Sequence, residues 1–206
     1  MSDLDLGQLS ETYIDVLKEI GNIGAGNAMT ALAQMLDCKI DMRVPKVRLL
    51  ELNEIGTLLG GEEELMVGIF LGVEGDISGS IMFLIGLEAA KNLVKKIMMG
   101  YDSGRMDFDE MESSAMQEIS NIITGAYLNS LSTLTNLKIY PTPPSMAVDM
   151  VAAIMSVTAI KFGELGDNIL LIQSQFFDDM VAIDGFFVMI PDLESYGKIL
   201  SALGMM

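Results

Sequence analysis

"LKEIGNIGAGNAMTALAQML", residues 17–36, admits two readings, and the choice between them decides the fold. Its glycines, Gly21, Gly24 and Gly26, suggest a phosphate-cradling loop, whereas its apolar spacing suggests one long helix. A P-loop needs Lys followed by Ser or Thr after its last glycine, and "GAGNAM" has neither. A dinucleotide fingerprint needs a preceding strand, but residues 11–20 have helical spacing. A second stretch supplies the missing test. "DVLKEIGNI" (15–23) aligns with "SAMQEISNI" (114–122) at an offset of 99 residues, with Ser120 in place of Gly21 and Ile123 in place of Gly24. Residues 110–134 around that second copy lack Pro and hold one Gly, so they read as a long helix. The first copy is therefore predicted to be helical as well. Interior glycines weaken a helix by about 1 kcal/mol each relative to Ala, which predicts close approach of another backbone.

The repeat extends along the chain. At the same offset of 99, Gly26 meets Gly125, "CKI" (38–40) meets "LKI" (137–139) and Pro45 meets Pro144. "ISGSIMFLIG" (77–86) resembles "IDGFFVMIPD" (183–192) at an offset of 106, so seven extra residues lie between these anchors in the second copy. A period near 100 residues is too long for a solenoid and marks a duplication. Residues 1–206 are read as one domain of two homologous halves, about 10–100 and 109–206. Strands are predicted at 39–50, 65–73, 78–86, near 156–162, 168–177 and 181–190. Helices are predicted at 87–99 and 192–203, with a short extra helix in "SMAVDMVAAIM" (145–155). Short turns between adjacent strands imply antiparallel pairing. The expected fold class is α/β, with pseudo-two-fold symmetry and long helices packed on a largely antiparallel sheet.

Composition narrows the function. A net charge of −17 argues against nucleic acid, which needs a basic footprint, and against anionic membrane surfaces. No apolar run reaches membrane-span length; "LMVGIFLGV" reads as a buried strand, and the acidic N-terminus is wrong for a signal peptide. The lone Cys38 excludes an internal disulfide framework and fits a small buried hydrophobe in a reducing cytoplasm. The absence of His removes Ser-His triads, His general bases and His metal ligands, so no metal site is expected. The 18 methionines read as core filler.

One polar pattern survives the duplication. On a helix, Asp15, Glu19 and Asn22 lie within about 60° of one another, and Ser114, Glu118 and Asn121 repeat the arrangement. Val16, Ile20 and Ile23, like Met116, Ile119 and Ile122, fall on the other side. Such a stripe is ordinarily a solvated face, but nearby exposed positions have diverged: Lys18 became Gln117 and Asn27 became Ala126. A carboxamide offers a donor and an acceptor and can orient a water; a carboxylate can pair with a partner's cation. A paired-carboxylate glycosidase site fails because the second group is an amide. The pattern suits insertion into another protein's site, where metal and reacting group already stand.

"Asp/Ser-x-x-x-Glu-x-x-Asn", then 22 residues, then Pro, occurs at Asp15, Glu19, Asn22 and Pro45 and again at Ser114, Glu118, Asn121 and Pro144. This resembles the signature of the CheC/CheX/FliY phosphatases of chemotaxis, and two complete motifs match the two-site CheC type. "KEIGNIGAGNA" and "PPSMAVDM" strengthen the resemblance, and FliM-like switch proteins lack the Glu–Asn pair. The resemblance implies hydrolysis of the aspartyl-phosphate of the response regulator CheY. Asn22 and Asn121 would orient the attacking water, and Glu19 and Glu118 would pair with the receiver's lysine. Asp15 and Ser114 would sit beside the site, and Pro45 and Pro144 would shape the adjoining backbone. Mg²⁺ would belong to CheY, with no cofactor on this chain. A competing expectation is an adaptor that binds phosphorylated CheY and CheD with little turnover. CheD, a receptor glutamine deamidase, is the second partner implied. Its candidate surface is the predicted helix after Pro144, with Met146 and Met150 on one face and Asp149 at its border.

Overall fold

The structure is a computed structural model and describes residues 11–36, 41–51, 54–162, 168–178 and 181–204. Cys38 and the N-terminal ten residues lie outside that set. Helix α1 runs over Glu11–Leu36 and α4 over Glu110–Thr135, each 26 residues, so the opening stretch is helical through all three glycines. Strands β1 (Asp41–Glu51), β2 (Leu65–Gly75) and β3 (Gly79–Gly86) precede helix α3 (Leu87–Ile97). A single turn, α2 (Ile55–Leu58), follows β1. After α4 come β4 (Ile139–Pro141), β5 (Ser145–Met150), α5 (Val151–Phe162), β6 (Asn168–Asp178), β7 (Val181–Pro191) and α6 (Leu193–Ala202).

All strand pairs are antiparallel, in the order β1-β6-β7-β3-β2-β4, with β5 also on β2. The central β3–β7 pair sets Phe83 opposite Phe187. Outward from it each side has one long strand, β2 or β6, and then an outer strand. On one side the outer strand is β1; on the other it is β4 followed by β5, both laid along β2. Each outer strand is interrupted at its motif proline. The β1–β6 register shifts between Arg43 and Lys46, around Pro45. Residues 142–144 leave the ladder between β4 and β5, where the Thr142 Oγ1 accepts the Gly72 N–H at 2.8 Å and the Thr142 N–H returns to the Gly72 carbonyl at 2.9 Å. Proline has no N–H to give a ladder, so it belongs at such breaks.

Both faces of the central strands are buried. Val67, Ile69, Ile81, Phe83, Ile85 and Phe187 point into a core shared with α1, α3, α4 and α6. The alternate residues Met66, Met82, Leu84, Phe186 and Val188 pack on the opposite side with Val151 and Ile154 of α5 and Leu59. This is why the central strands read as unbroken apolar runs rather than as alternating ones.

Three local expectations are corrected. Residues 145–150 form strand β5, not the start of a helix, which begins only at Val151. Pairing with β2, from Leu65↔Met150 to Phe70↔Ser145, gives the segment backbone partners that no helical pattern reveals. The strand predicted near 156–162 is the second half of α5. Its β-branched residues favour a strand locally, but this segment belongs to the helix that covers the second face of the sheet, and context of this kind overrides β-propensity. The methionines divide: Met29, Met66, Met82, Met116 and Met189 are buried, whereas Met99, Met106 and Met111 are exposed.

Candidate functional site

The two polar stripes lie on α1 and α4, which pack side by side on the first face of the sheet. In α1, Ile20 turns into the core while Asp15 and Glu19 are exposed. Asn22 is only half-buried, and its Oδ1 is enclosed with no hydrogen-bond partner among the described residues. The outward stripe predicted from sequence is therefore sunk at its last residue. In α4, Met116 and Ile119 are fully buried, and Ser114, Glu118 and Asn121 are all exposed. The Ser114 hydroxyl donates to the Glu110 carbonyl at 2.9 Å, within its own helix. Among the described residues, the Glu118 and Asn121 side chains form no hydrogen bond or ion pair and are open to an outside partner. Glu and Asn three positions apart stand about 4.5 Å apart along the axis, one ahead of the other on one face.

Neighbouring structure fixes these helices. At Gly24 the two helices come close: a Cβ there would stand 2.5 Å from Tyr127 Cδ1 and 3.1 Å from Tyr127 Cα. The predicted close approach of a second backbone is therefore present at Gly24. The Tyr127 ring stacks on Phe187 of β7 with centroids 4.3 Å apart. Three residues on, the Asn27 Nδ2 donates to Ser130 Oγ at 3.0 Å. Gly26 and Gly125 differ from Gly24: a Cβ at either would meet nothing within 4 Å.

The start of α4 is anchored by a capping box. The Glu112 N–H donates to Asp109 Oδ1 at 2.8 Å, and the Asp109 N–H donates to Glu112 Oε2 at 2.8 Å. Glu112 also accepts the Ser103 N–H at 3.1 Å and the Ser103 hydroxyl at 2.7 Å. Burial pushes its carboxyl pKa up, but these donors outweigh burial and hold it below the ordinary glutamate value. The helix therefore enters the site at a fixed angle.

The other predicted site residues are dispersed. Pro45 and Pro144 stand at the two outer-strand breaks. Met146 and Asp149 are on edge strand β5, where alternation sends them to opposite faces, so the single face expected of a helix does not exist. Met146 packs against the first core. Asp149 faces the second layer and, with Phe70, Met146, Ala147, Ala153 and Val157, lines a surface cavity of about 230 Å³. Met150 is exposed. Among the described residues, no three His, Cys, Asp or Glu side chains come together as a metal cluster. No described helix is long and apolar enough to cross a membrane. Gly26 and Gly125 align at the same offset as the Glu–Asn pairs.

A family model described as the CheC-like family matches residues 14–48 and 111–147. Those two segments run from just before each polar stripe to just past its proline. The chain is 35% identical over 200 residues to the CheY-P phosphatase CheC of Bacillus subtilis (strain 168), spanning 95% of this chain and 96% of that protein. It is 31% identical over 142 residues to the flagellar motor switch phosphatase FliY of the same organism, spanning 68% of this chain and 36% of that protein. The crystal structure of Thermotoga maritima FliY matches with a TM-score of 0.75 at 19% identity, covering 96% of this chain and 98% of that one. This last likeness concerns the fold.

Proposed function

Because this chain belongs to the CheC-like family, we propose that it is a phosphatase acting on the aspartyl-phosphate of the chemotaxis response regulator CheY. The observation that carries the proposal is the end-to-end similarity, 35% identity, to a CheY-P phosphatase, joined to a Glu–Asn stripe exposed on α4 and a second on α1 that is exposed at Glu19 and half-buried at Asn22. In the proposed reaction, water attacks phosphorus, the P–O bond to the receiver's aspartate breaks, and the carboxylate and inorganic phosphate leave. Asn22 and Asn121 supply the amide that orients the water in line. Glu19 and Glu118 pair with the receiver's lysine and fix the register of docking. The Mg²⁺ that neutralises phosphoryl charge belongs to CheY. The work left to this chain is positioning, which by itself lowers barriers by several kcal/mol.

The test is phosphate release from phosphorylated CheY with and without this protein, in the presence of Mg²⁺. Acceleration is expected, and the double variant Asn22→Ala, Asn121→Ala is expected to lose roughly 10²-fold or more while remaining folded. Of the single variants, Asn121→Ala is expected to lose more, because Asn121 is open and Asn22 is half-buried with its Oδ1 enclosed. Full activity of the double variant would overturn the mechanism. Tight binding of phosphorylated CheY without turnover by the native chain would support the adaptor reading instead.

CheD is the second proposed partner. What favours a docking site near β5 is the open outer edge of that strand among the described residues, bordered by exposed Leu65, Met150 and Val157. An extended partner segment can add to such an edge by main-chain hydrogen bonds.

A further inference from the structure

Among the described residues, nothing inside the molecule explains Gly26 or Gly125. Both lie in the interior of 26-residue helices, where glycine is the poorest helix former after proline. The fold gives Gly24 a reason, the ring and backbone of Tyr127; it gives these two none, since a Cβ at either would find open space within 4 Å. Both have ordinary helical backbone, with no positive φ that would demand glycine. Yet this pair recurs in both copies, whereas Gly21 and Gly24 became Ser120 and Ile123. Their position is specific. With Asp15 or Ser114 at zero, each falls at about 20°, between Glu at about 40° and Asn at about −20°, and one turn beyond the Asn. Every Cα–Cβ bond in a helix tilts toward its N-terminus. A side chain at residue 26 or 125 would therefore lean back over the turn that carries Asn22 or Asn121.

We propose that Gly26 and Gly125 are the clearance positions of the two sites, where the phosphorylated receiver domain comes close against bare helix backbone so that the Asn amide reaches the phosphoryl group. The inference rests on the phosphatase reading above. It makes these glycines positioning residues, whose missing side chains set how deeply each stripe enters the partner. The reason for glycine then lies outside the chain, in the complex.

The test compares native protein with paired variants, Gly26→Ala with Gly125→Ala and Gly26→Leu with Gly125→Leu. Melting temperature, steady-state hydrolysis of phosphorylated CheY, and titration with CheY carrying beryllofluoride on its acceptor aspartate are measured for each. The alanine pair is expected to melt higher than native, because helix propensity improves and no clash is introduced. The leucine pair is expected to stay folded and to lose roughly 10²-fold in kcat/KM, mainly through KM, with matching weakening in the titration. Alanine is expected to fall between. Native kcat/KM and affinity in the leucine pair would overturn the inference, as would a fall in melting temperature that accounts for the lost activity. If the native chain binds the beryllofluoride form without turnover, and leucine weakens that binding, the clearance role stands and only the hydrolytic reading fails. A native chain that neither binds nor turns over overturns both.

Discussion

Gly24 lacks a side chain because Tyr127 occupies its place, and Tyr127 is held there by the stack on Phe187. One absent methyl group thus sets the distance between α1 and α4 and ties both to the central strand. Gly24→Ala adds a Cβ 2.5 Å from the Tyr127 ring and 3.1 Å from its Cα, so overpacking outweighs the gain in helix propensity. A loss of about 1–3 kcal/mol is expected from the denaturant midpoint, opposite in sign to Gly26→Ala. At this scale the sequence alone carries the proposed site residues. The repeat singled out Glu19, Asn22, Glu118 and Asn121 because divergence around them removed the ordinary explanation for their survival. The half-buried state of Asn22 was not legible, because it depends on the neighbours that α1 meets after folding rather than on angle around the helix.

Elements were legible where local pattern and tertiary demand agree. The paired helices α1 and α4 follow from one unbroken 3.6-residue period in the second copy. β5 and α5 were misread because their states depend on distant partners: β2 pairs with the first, and the second face of the sheet is covered by the other. The entry to α4 gives a pH test. Folding holds Glu112 in its charged form, with a pKa below the ordinary glutamate value. Its contribution is complete above the unfolded value of about 4.3 and is lost as pH falls through the lower folded value. Glu112→Gln is expected to lower the melting temperature by about 2–4 °C at pH 7. The difference from native should close progressively as pH drops below about 4; a gap independent of pH would show that packing, and not charge, is what the variant lost.

On the scale of the whole molecule, the two proposed partner surfaces are separate. The Glu–Asn stripes lie on helices of the first face, whereas Asp149 lines a cavity beside α5 on an outer edge of the sheet. Asp149→Lys is accordingly expected to weaken CheD binding in a titration while leaving phosphate release from CheY-P at the native rate. Unchanged CheD affinity would move that interface elsewhere, and a parallel loss of melting temperature and both activities would show that β5 serves the fold alone. The sequence by itself determined the repeat, the two long helices, the antiparallel sheet and the polar residues that recur, since each is a local pattern or an alignment of the chain with itself. Only the tertiary structure decided that the central strands are covered on both faces, that β4 and β5 together form the outer strand opposite β1, that Gly24 meets Tyr127 while Gly26 and Gly125 meet nothing, and that one Asn is open and the other half-sunk. Those outcomes are set by which surfaces are buried against one another, and burial is a property of pairs of elements far apart in the chain that no local period encodes.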